Sequence, residues 1–573
     1  MLAGIGRING NTTISGTLSP GQLPNVQDQI ANNGLAAGTV GLAPSPGTLT
    51  FAGNVTLSST ATTVINIDGK LLVPGGPGTW SKIVITGAGN TFTAGGTLLP
   101  VLRGISGGNN TYVPELGDAF QILTAESGAK LAGKIATLTQ PTADLGTNQR
   151  FDLVDIPNGA MLAVTPVKFA DIKLPGGKPL TSAQQAIAAG LDKSRAQAKA
   201  VRDDSDVLLE ALFLLDSEDA YTSALTQLTG PGAPATPGAV LAGFAAFANI
   251  IAGRQSLLQS GGAGAQAAAT PGVSFAFEGG GANIATHPAM MAFAGVDSAQ
   301  PSTGRNTWAI WGQAFGRWSR VGNSADLPGS TSRSGGFALG ADRYLTSDWL
   351  AGLAFGFTRT TTNSGAMDAT TDSYSGAVYT SWTPGRWAFD ARAAIGPTKI
   401  GTSRTMNLTP SSINGNANGL AALIGGEAGY RIPIGIATLK PFVGLDWQML
   451  RRNGYEETTA FGLSYPTQTF TKITTKLGVA SSVKFQSHGM TYLPELRAAW
   501  AHDLRDTTLT TQAALLDSPF EVDAASPGRD AALIDLSLTA WRSEQFRVFA
   551  SVGGEYRHNA VSHQIAGGVR YAW

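Results

Sequence analysis

The sequence predicts a mainly β protein in which an N-terminal parallel β-helix, a helical linker and a C-terminal twelve-stranded antiparallel transmembrane barrel follow one another. Short alternating segments broken by Gly, Asn and Pro fill the first part of the chain, and a helical period replaces them from about residue 181. Strictly alternating segments of about ten residues occupy everything after Thr307. We place the three parts at residues 1–168, 169–305 and 306–573.

Composition excludes several classes of protein. The 573 residues include 39 basic and 39 acidic side chains, and this balance argues against a nucleic-acid binder, which would carry a basic face. The chain has no Cys, so neither a disulfide nor a thiolate nucleophile is expected. Its N-terminus lacks the charged start and apolar core of a secretory signal, and we therefore expect a longer parent chain.

Residues 1–168 have the pattern of a β-solenoid. In the segment GTLTFAGNVTLSSTATTVINIDG (47–69), Leu49, Phe51, Val55 and Leu57 share one face, and Gly and Asn occupy the breaks. Similar short strands recur with degenerate turn chemistry, as stacked rungs require.

The middle part has a helical period. Apolar residues such as Ile187, Leu191, Leu208 and Leu212 recur at the spacing of amphipathic helices. The apolar segment 239–253 is shorter than the about 20 residues of a membrane-spanning helix. We interpret it as a packed helix, with a membrane or interface segment as the alternative, and we expect the Gly-rich residues that follow, 259–305, to form a mobile linker.

The C-terminal part contains an even number of alternating segments, as a closed antiparallel bacterial barrel requires. We place them near 306–319, 334–345, 347–361, 371–383, 386–401, 417–431, 437–449, 471–485, 490–505, 530–541, 545–557 and 563–573. In WAFDARAAIG (387–396), for example, Trp387, Phe389 and Ile395 share one face, whereas Asp390 and Arg392 lie on the other.

Alternation alone also fits a soluble sandwich. Aromatic residues decide between the two, because they cluster at segment ends as two membrane-boundary girdles would. We assign to these girdles Trp308, Trp311, Trp318, Tyr344, Trp349, Trp382, Trp387, Trp447, Trp500, Trp541, Tyr571 and Trp573. We therefore expect the apolar face to contact lipid, and the last strand to pair with the first and close the barrel.

The sequence resembles the autotransporters of Gram-negative bacteria, which use type V secretion, over most of its length. GGVRYAW (567–573) is similar to their barrel-assembly signal, with Gly568, Tyr571 and Trp573 at the glycine, aromatic and terminal aromatic positions. Ala566 departs from the polar residue common there, and the final residue is more often Phe. Residues 337–358 resemble the family's second and third barrel strands, residues 112–138 its autochaperone region, and residues 223–230 its pre-barrel helix.

The resemblance implies an outer-membrane translocator that secretes and displays its own passenger, with the linker helix threaded through the lumen. It implies contacts with outer-membrane lipid, barrel-assembly machinery and periplasmic chaperones, a monomeric state, and no cofactor, metal or catalytic residue in these parts. Two alternatives remain open. One is a hydrolase or adhesin whose catalytic or binding part lies upstream, and the other is a porin-like channel.

Motifs that could carry chemistry have structural interpretations. GISGG (104–108) matches a nucleophile elbow at Ser106 but lacks a strand–turn–helix context and a nearby His, so we expect a solenoid turn. The run RDDSD, with Asp203, Asp204 and Asp206, lacks the Gly and Glu of a calcium loop and predicts a solvated helix start.

Paired charges in the barrel part have similar interpretations. Glu456 and Glu457 are expected in a barrel loop, and Asp390, Arg392, Glu555 and Arg557 are expected to form lumenal ion pairs or to contact the threaded helix. Some autotransporters cut their passenger free at an Asn pair in the linker helix. This chain has Asn pairs only at 32–33 and 109–110, so we predict no such cleavage.

Overall fold

The computed structural model describes residues 1–21, 46–70, 80–102, 112–141, 145–197, 203–259, 308–324, 327–543 and 545–573. Ser106 and both Asn pairs lie outside the described residues, as does nearly all of the expected mobile linker. The predicted fold class is confirmed, because a parallel β-helix, four helices and a closed twelve-stranded barrel follow one another in the described parts.

The N-terminal part is a three-sided parallel β-helix. Its strands are β1 (Leu2–Gly4), β2 (Gly6–Asn9), β3 (Thr12–Ile14), β4 (Thr17–Pro20), β5 (Thr48–Ala52), β6 (Val55–Leu57), β7 (Thr62–Ile67), β8 (Lys82–Thr86), β9 (Thr91–Ala94), β10 (Thr97–Leu102), β11 (Ala119–Glu126), β12 (Lys130–Gly133) and β13 (Thr137–Leu138). The three sheets run β1-β4-β7-β10-β13, β2-β5-β8-β11 and β3-β6-β9-β12, each with parallel pairing.

One apolar column fills the β-helix. Leu49, Phe51, Val55 and Leu57 are buried in it, as their shared face predicts, and each further rung adds apolar side chains on top of the last. An antiparallel hairpin closes the end of the column. Its strands are β14 (Gln149–Ile156) and β15 (Gly159–Pro166), and β15 pairs with β11.

Four α-helices follow, preceded by a short 3₁₀ turn at Phe169–Asp171. They are α1 (Ser182–Ala196), α2 (Asp204–Phe213), α3 (Glu218–Leu228) and α4 (Ala235–Gln259). Thr181 and Asp203 cap α1 and α2 through capping boxes, and this confirms the helix-start interpretation of the Asp run. The first three helices pack on the end of the β-helix and on the barrel loops, whereas α4 lies in the barrel lumen.

The barrel contains all twelve expected segments. They are β16 (Trp308–Val321), β17 (Ser330–Tyr344), β18 (Trp349–Ser364), β19 (Met367–Trp382), β20 (Trp387–Met406), β21 (Thr409–Tyr430), β23 (Ala437–Arg452), β26 (Gln468–Val483), β28 (Met490–Asp503), β31 (Asp530–Trp541), β32 (Phe546–Arg557) and β33 (Ala560–Ala572). β16 pairs with β33 along its length, so the last strand closes the barrel on the first as expected.

The remaining short strands extend the barrel at its two ends. Ile432–Ile434 (β22) and Phe485–Ser487 (β27) flank turns, and β24 (Tyr455–Glu456), β25 (Ser464–Tyr465), β29 (Thr510–Leu515) and β30 (Ser518–Asp523) form a separate four-stranded sheet in the long connections. Both ends of the barrel chain, at Trp308 and Trp573, lie at the mouth with short turns, which we call the inner mouth. The long connections surround the opposite, outer mouth.

Most of the aromatic residues assigned to the girdles occupy outward positions, as a girdle requires, but the prediction is wrong for three. Trp311, Tyr344 and Trp541 occupy the lumenal positions of their strands, and Trp311 and Trp541 are only 3% exposed. Nearness to a segment end suggested a girdle place for them, but the alternation of side chains across a strand puts them on the other face.

Candidate functional site in the barrel lumen

Helix α4 has the length and mean hydropathy, 1.6, of a membrane-crossing helix, but it lies inside the barrel. The helix is apolar almost all round because the barrel encloses it, and its larger apolar side chains pack on one wall. The cluster at this contact contains Val240, Leu241, Phe244, Phe247, Ile250 and Ile251 of the helix, with Ala354, Ala377, Ala394, Ala417 and Ala421 of the wall. The packed-helix interpretation of residues 239–253 is confirmed.

Two glycines set the distance between helix and wall. A Cβ at Gly356 would lie 2.5 Å from the Phe247 ring, and a Cβ at Gly243 would lie 2.5 Å from Thr360 Oγ1. Both distances are shorter than any ordinary contact, so the close approach of α4 to β18 requires these positions to lack side chains.

The C-terminal end of α4 is fixed by hydrogen bonds rather than by apolar packing. Arg254 and Asp342 form a bidentate ion pair, with Nε–Oδ2 at 2.9 Å and Nη2–Oδ1 at 3.0 Å. Tyr379 donates to Asp342 at 2.9 Å, and Trp311 donates in turn to the Tyr379 hydroxyl at 2.8 Å. Each polar group in this series of hydrogen bonds is buried and has a partner, because an unpaired polar group in low-dielectric surroundings is costly.

Three further side chains of this helix end reach other strands. Gln255 donates to the carbonyls of Thr380 and Ala391, at 2.8 and 3.2 Å. Ser256 donates to Glu495 at 2.6 Å, and Gln259 donates to Asp390 at 2.6 Å. Because these strands stand on different sides of the barrel, the helix end is held from several directions at the inner mouth.

Lumenal charges form three mixed networks, as predicted for this face. Asp446 binds both Arg392 and Lys476, and Glu427 binds both Lys440 and Arg497. The third network runs from Arg317 through Glu555, Arg557 and Asp503 to Lys472, with distances from 2.6 to 3.3 Å. The prediction for the four named charges is confirmed, since Asp390 contacts the helix and the other three enter ion pairs.

Two cavities, of about 240 and 180 Å³, lie between α4 and the wall that the helix does not touch. Both are lined by Asn249 of the helix and by Arg317, Asp446, Lys476 and Glu555 of the wall. The helix therefore fills the lumen unevenly, with a dry apolar contact on one side and a charged crevice on the other.

The outer mouth is covered by α1–α3. Arg404 of the barrel pairs with the fully buried Glu457 at 2.8 Å and donates to the Gln227 carbonyl at the end of α3 at 3.1 Å. Asn407 N donates to the Gln227 side chain at 2.7 Å. Glu457 thus lies in a barrel loop, as expected, and helps to hold α3.

A second contact to this helical cap comes from the β29–β30 hairpin. A Cβ at Gly190 of α1 would lie 2.4 Å from Ser518 Oγ, so helix and hairpin approach closely. The end of the β-helix, the three helices and these loops share one apolar core.

A buried charge pair joins the β-helix to the cap. Arg195 of α1 lies over the Phe169 ring at 4.2 Å and donates to the Pro166 carbonyl at 2.7 Å. Its guanidinium is 3.8 Å from Asp152. Burial raises the pKa of the Asp152 carboxyl and lowers the pKa of Arg195, so desolvation outweighs the attraction at this distance.

The structure places the predicted assembly-signal residues on both faces of β33. Gly568 faces the lumen, where a Cβ would lie 2.8 Å from the Phe549 ring, and Tyr571 and Trp573 face outward with their rings stacked at 6.0 Å. Their role in assembly stays a prediction. Sequence reasoning missed the helix end that carries Arg254 and Gln255, although the polar GRQS run after an apolar segment signals a change of surroundings.

Within the ranges that the structure describes, no group of three or more His, Asp or Glu side chains is placed to hold a metal ion. The lumen provides space for helix α4 and the contacts that hold the helix there. A closed barrel with an apolar outer band, boundary aromatics and a lumen occupied by the chain's own upstream helix defines an outer-membrane protein that encloses part of its own chain.

Residues 310–553 match the family model described as autotransporter beta-domain. The barrel of this chain thus matches the autotransporter family, and the resemblance predicted from the sequence is confirmed. An autotransporter barrel is located in the outer membrane and is a translocator that is not itself catalytic.

The chain is also similar to curated relatives and solved structures. Two extracellular serine proteases of Serratia marcescens are 23% and 22% identical over 267 residues, which make up 46% of this chain and 26% of each relative. The chain thus spans about a quarter of the length of these relatives.

Three solved autotransporter domains resemble part of the structure. The translocator domain of NalP from Neisseria meningitidis is 17% identical, with a TM-score of 0.40, and the match covers 49% of this chain and 92% of that one. The Bordetella BrkA β-domain is 16% identical with a TM-score of 0.38, covering 47% and 100%. The AIDA-I transport unit from Escherichia coli is 18% identical with a TM-score of 0.38, covering 48% and 92%.

Proposed function

We propose that this protein secretes its own N-terminal passenger through or with its barrel and displays it at the cell surface. The path of α4 carries this proposal. The helix starts at the outer mouth, where a Cβ at the preceding Gly232 would lie 2.3 Å from the Ser364 carbonyl oxygen, and ends where Gln259 accepts from Lys440 at the inner mouth. A chain with this path has its upstream part on one side of the membrane and enters its barrel from the other.

Folding of the β-helix supplies a direction for this transfer. Each rung buries apolar side chains on the rung before it, so that residues emerging at the outer mouth are stabilised as soon as they stack. The last rungs, nearest the barrel, would fold first on the helical cap. Once they have packed, return of the chain through the lumen would require them to unfold.

The proposal includes the expected partners. The outward face of the barrel would contact outer-membrane lipid, and the unfolded chain would be handed on by periplasmic chaperones to the barrel-assembly machinery. We propose that the mature protein is a monomer and that it does not bind nucleic acid.

A second candidate function concerns the passenger. The curated relatives are extracellular serine proteases, and this chain spans only 26% of their length. A hydrolase or an adhesin passenger is the alternative, and the complete gene sequence would decide this. A porin-like channel is disfavoured by the helix that occupies the lumen.

The test uses the full chain behind a signal peptide in a Gram-negative host. Protease added to intact cells should digest the β-helix and cap, residues 1–230, and leave a protected barrel with its internal helix. Cells whose outer membrane has been permeabilised serve as the control, and an inner-membrane protein verifies that intact cells exclude the protease. The proposal is wrong if residues 1–230 are digested only after permeabilisation.

A further inference from the structure

Three adjacent strands, β33, β16 and β17, carry a basic patch on their outward face near the outer mouth. Trp318 is 45% exposed there, and its cross-strand neighbours are Arg333 on one side and His563 on the other. Arg320 lies two residues further along β16 on the same face. We call Arg320, Arg333, His563 and Trp318 the outer basic patch.

The height of this patch follows from strand geometry. Trp308 and Trp318 both face outward and lie at opposite ends of β16. Ten residues at about 3.3 Å each, tilted by about 40°, rise roughly 25 Å, which is the height of the apolar band of an outer-membrane barrel. The exposed side chains between the two levels are apolar, among them Ile310, Phe337, Leu339, Ile565 and Val569. Arg320, beyond Trp318, therefore reaches the level of the lipid headgroups.

The patch has no counter-charge in the part of the chain that the structure describes. Neither Arg320 nor Arg333 forms a hydrogen bond or an ion pair with any residue that the structure describes, and the outward positions of these three strands carry no Asp or Glu. The next strand differs, because outward-facing Arg359 binds Asp372 through two contacts of 2.7 Å. The fold thus neutralises one outward arginine and leaves two neighbouring ones without a partner among the described residues.

We propose that the outer basic patch binds the phosphate monoester of an outer-leaflet lipid, with Trp318 at the boundary between acyl chain and headgroup. The guanidinium group offers a planar set of donors that matches phosphate geometry. A phosphate monoester carries about −1.5 to −2 charges at neutral pH, which suits two arginines without an acid between them. The inference rests on the barrel being embedded in the outer membrane and not on secretion of a passenger.

The test measures lipid binding to the purified full chain in a neutral detergent by native mass spectrometry. Lipid A, whose sugars carry phosphate monoesters, is compared with its dephosphorylated form and with inorganic phosphate. We expect the double variant R320Q/R333Q to bind lipid A roughly 10- to 30-fold more weakly than the unaltered chain. Arg343→Gln is the matched control, since Arg343 faces outward on the same strand as Arg333 but at the inner end, and it should leave binding unchanged.

Heat-shifted electrophoretic mobility verifies that every variant has a folded barrel. Equal binding by the unaltered chain and R320Q/R333Q would overturn the proposal, as would equal binding of the dephosphorylated lipid. Competition by inorganic phosphate at the same concentration as the lipid would show a free-anion site and would also overturn it. If the chain binds lipid A but fails the surface-protease test, the result contradicts the proposed secretion and leaves the lipid-binding proposal standing.

Discussion

Arg254 on helix α4 and Asp342 on strand β17 form a bidentate ion pair that is 5% and 2% exposed. It joins the helix to its barrel and lies where the helix leaves the apolar wall. Removal of one member leaves the other charge buried without compensation, a change that costs about 3–5 kcal/mol in comparable buried pairs. Replacement of both members removes that penalty.

We therefore predict that Asp342→Asn loosens the inner end of α4 and raises the ion conductance of the full chain in a planar bilayer. The double variant R254Q/D342N should return conductance toward the original level. Arg359→Gln breaks an exposed pair on the outer wall and serves as the control, with unchanged conductance expected. A single variant that conducts like the unaltered chain would show that this pair does not hold the helix.

The next prediction compares two glycines of the same helix. Gly243→Ala places a methyl group 2.5 Å from Thr360 Oγ1, whereas nothing lies within 4 Å of a Cβ at Gly253. Crowding of this kind costs about 1–3 kcal/mol, and the same substitution in open space favours the helix by about 0.5–1 kcal/mol.

Gly243→Ala should accordingly raise conductance or expose α4 to protease, and Gly253→Ala should do neither. The double variant G243A/T360A should reverse the effect because it removes the clashing hydroxyl. If both glycine variants behave alike, close packing of helix and wall is not what seats α4.

The sequence was sufficient for the barrel strands because lipid on one face and lumen on the other impose a period of two. It was insufficient at the outer ends. β21 begins at Thr409 rather than near 417, since the polar run SSINGNAN stands clear of the lipid and shows no apolar alternation. The inward position of Trp311 could have been predicted, because Trp311 is three residues from outward-facing Trp308 and residues an odd number apart face opposite sides of a strand. The partner of Arg254 could not have been predicted, because it depends on how deep the helix sits and how it is rotated in the lumen.

A pH effect is predicted for the β-helix, which lies outside the membrane. Tyr112 donates to Asp118 at 2.5 Å, and Lys70 pairs with the other oxygen of that carboxylate at 2.5 Å. Burial, together with Asp118, raises the pKa of Tyr112 above its ordinary value of 10.0. The hydrogen bond to Asp118 raises the pKa of Lys70 above 10.5.

For both groups the folded state holds its proton more tightly than the unfolded state does. Their stabilising contribution is therefore complete below about pH 10 and is lost as the pH rises further. We expect the β-helix of the full chain to become protease-sensitive in this alkaline range. Tyr112→Phe should make that loss less steep, because it removes one of the titrating groups, and an identical pH profile would refute the assignment.

The contact of Arg404 with Glu457 and with the end of α3 at the outer mouth gives a prediction for the helical cap. Arg404→Met leaves Glu457 buried without its partner and removes the donor to the Gln227 carbonyl, so local stability should fall by about 3–5 kcal/mol. Hydrogen exchange of α3 amides in the full chain measures this opening. R404M/E457L should recover most of the protection. A double variant that exchanges as fast as the single one would show that the charge pair is not what matters.

The last prediction concerns the assembly signal. Trp573 and Trp318 are outward-facing and almost equally exposed, 46% and 45%, but they lie at opposite mouths. Both lose the same aromatic surface on substitution by Ala, so any difference in their effects reflects position rather than burial. Trp573 also follows the strand that closes the barrel, and its backbone N–H donates to the Trp308 carbonyl at 3.1 Å, a contact that the substitution keeps.

Trp573→Ala should reduce the amount of folded, heat-modifiable barrel in the outer membrane severalfold, whereas Trp318→Ala should not. Equal yields of the two variants would mean that the terminal indole acts as a girdle residue and carries no signal.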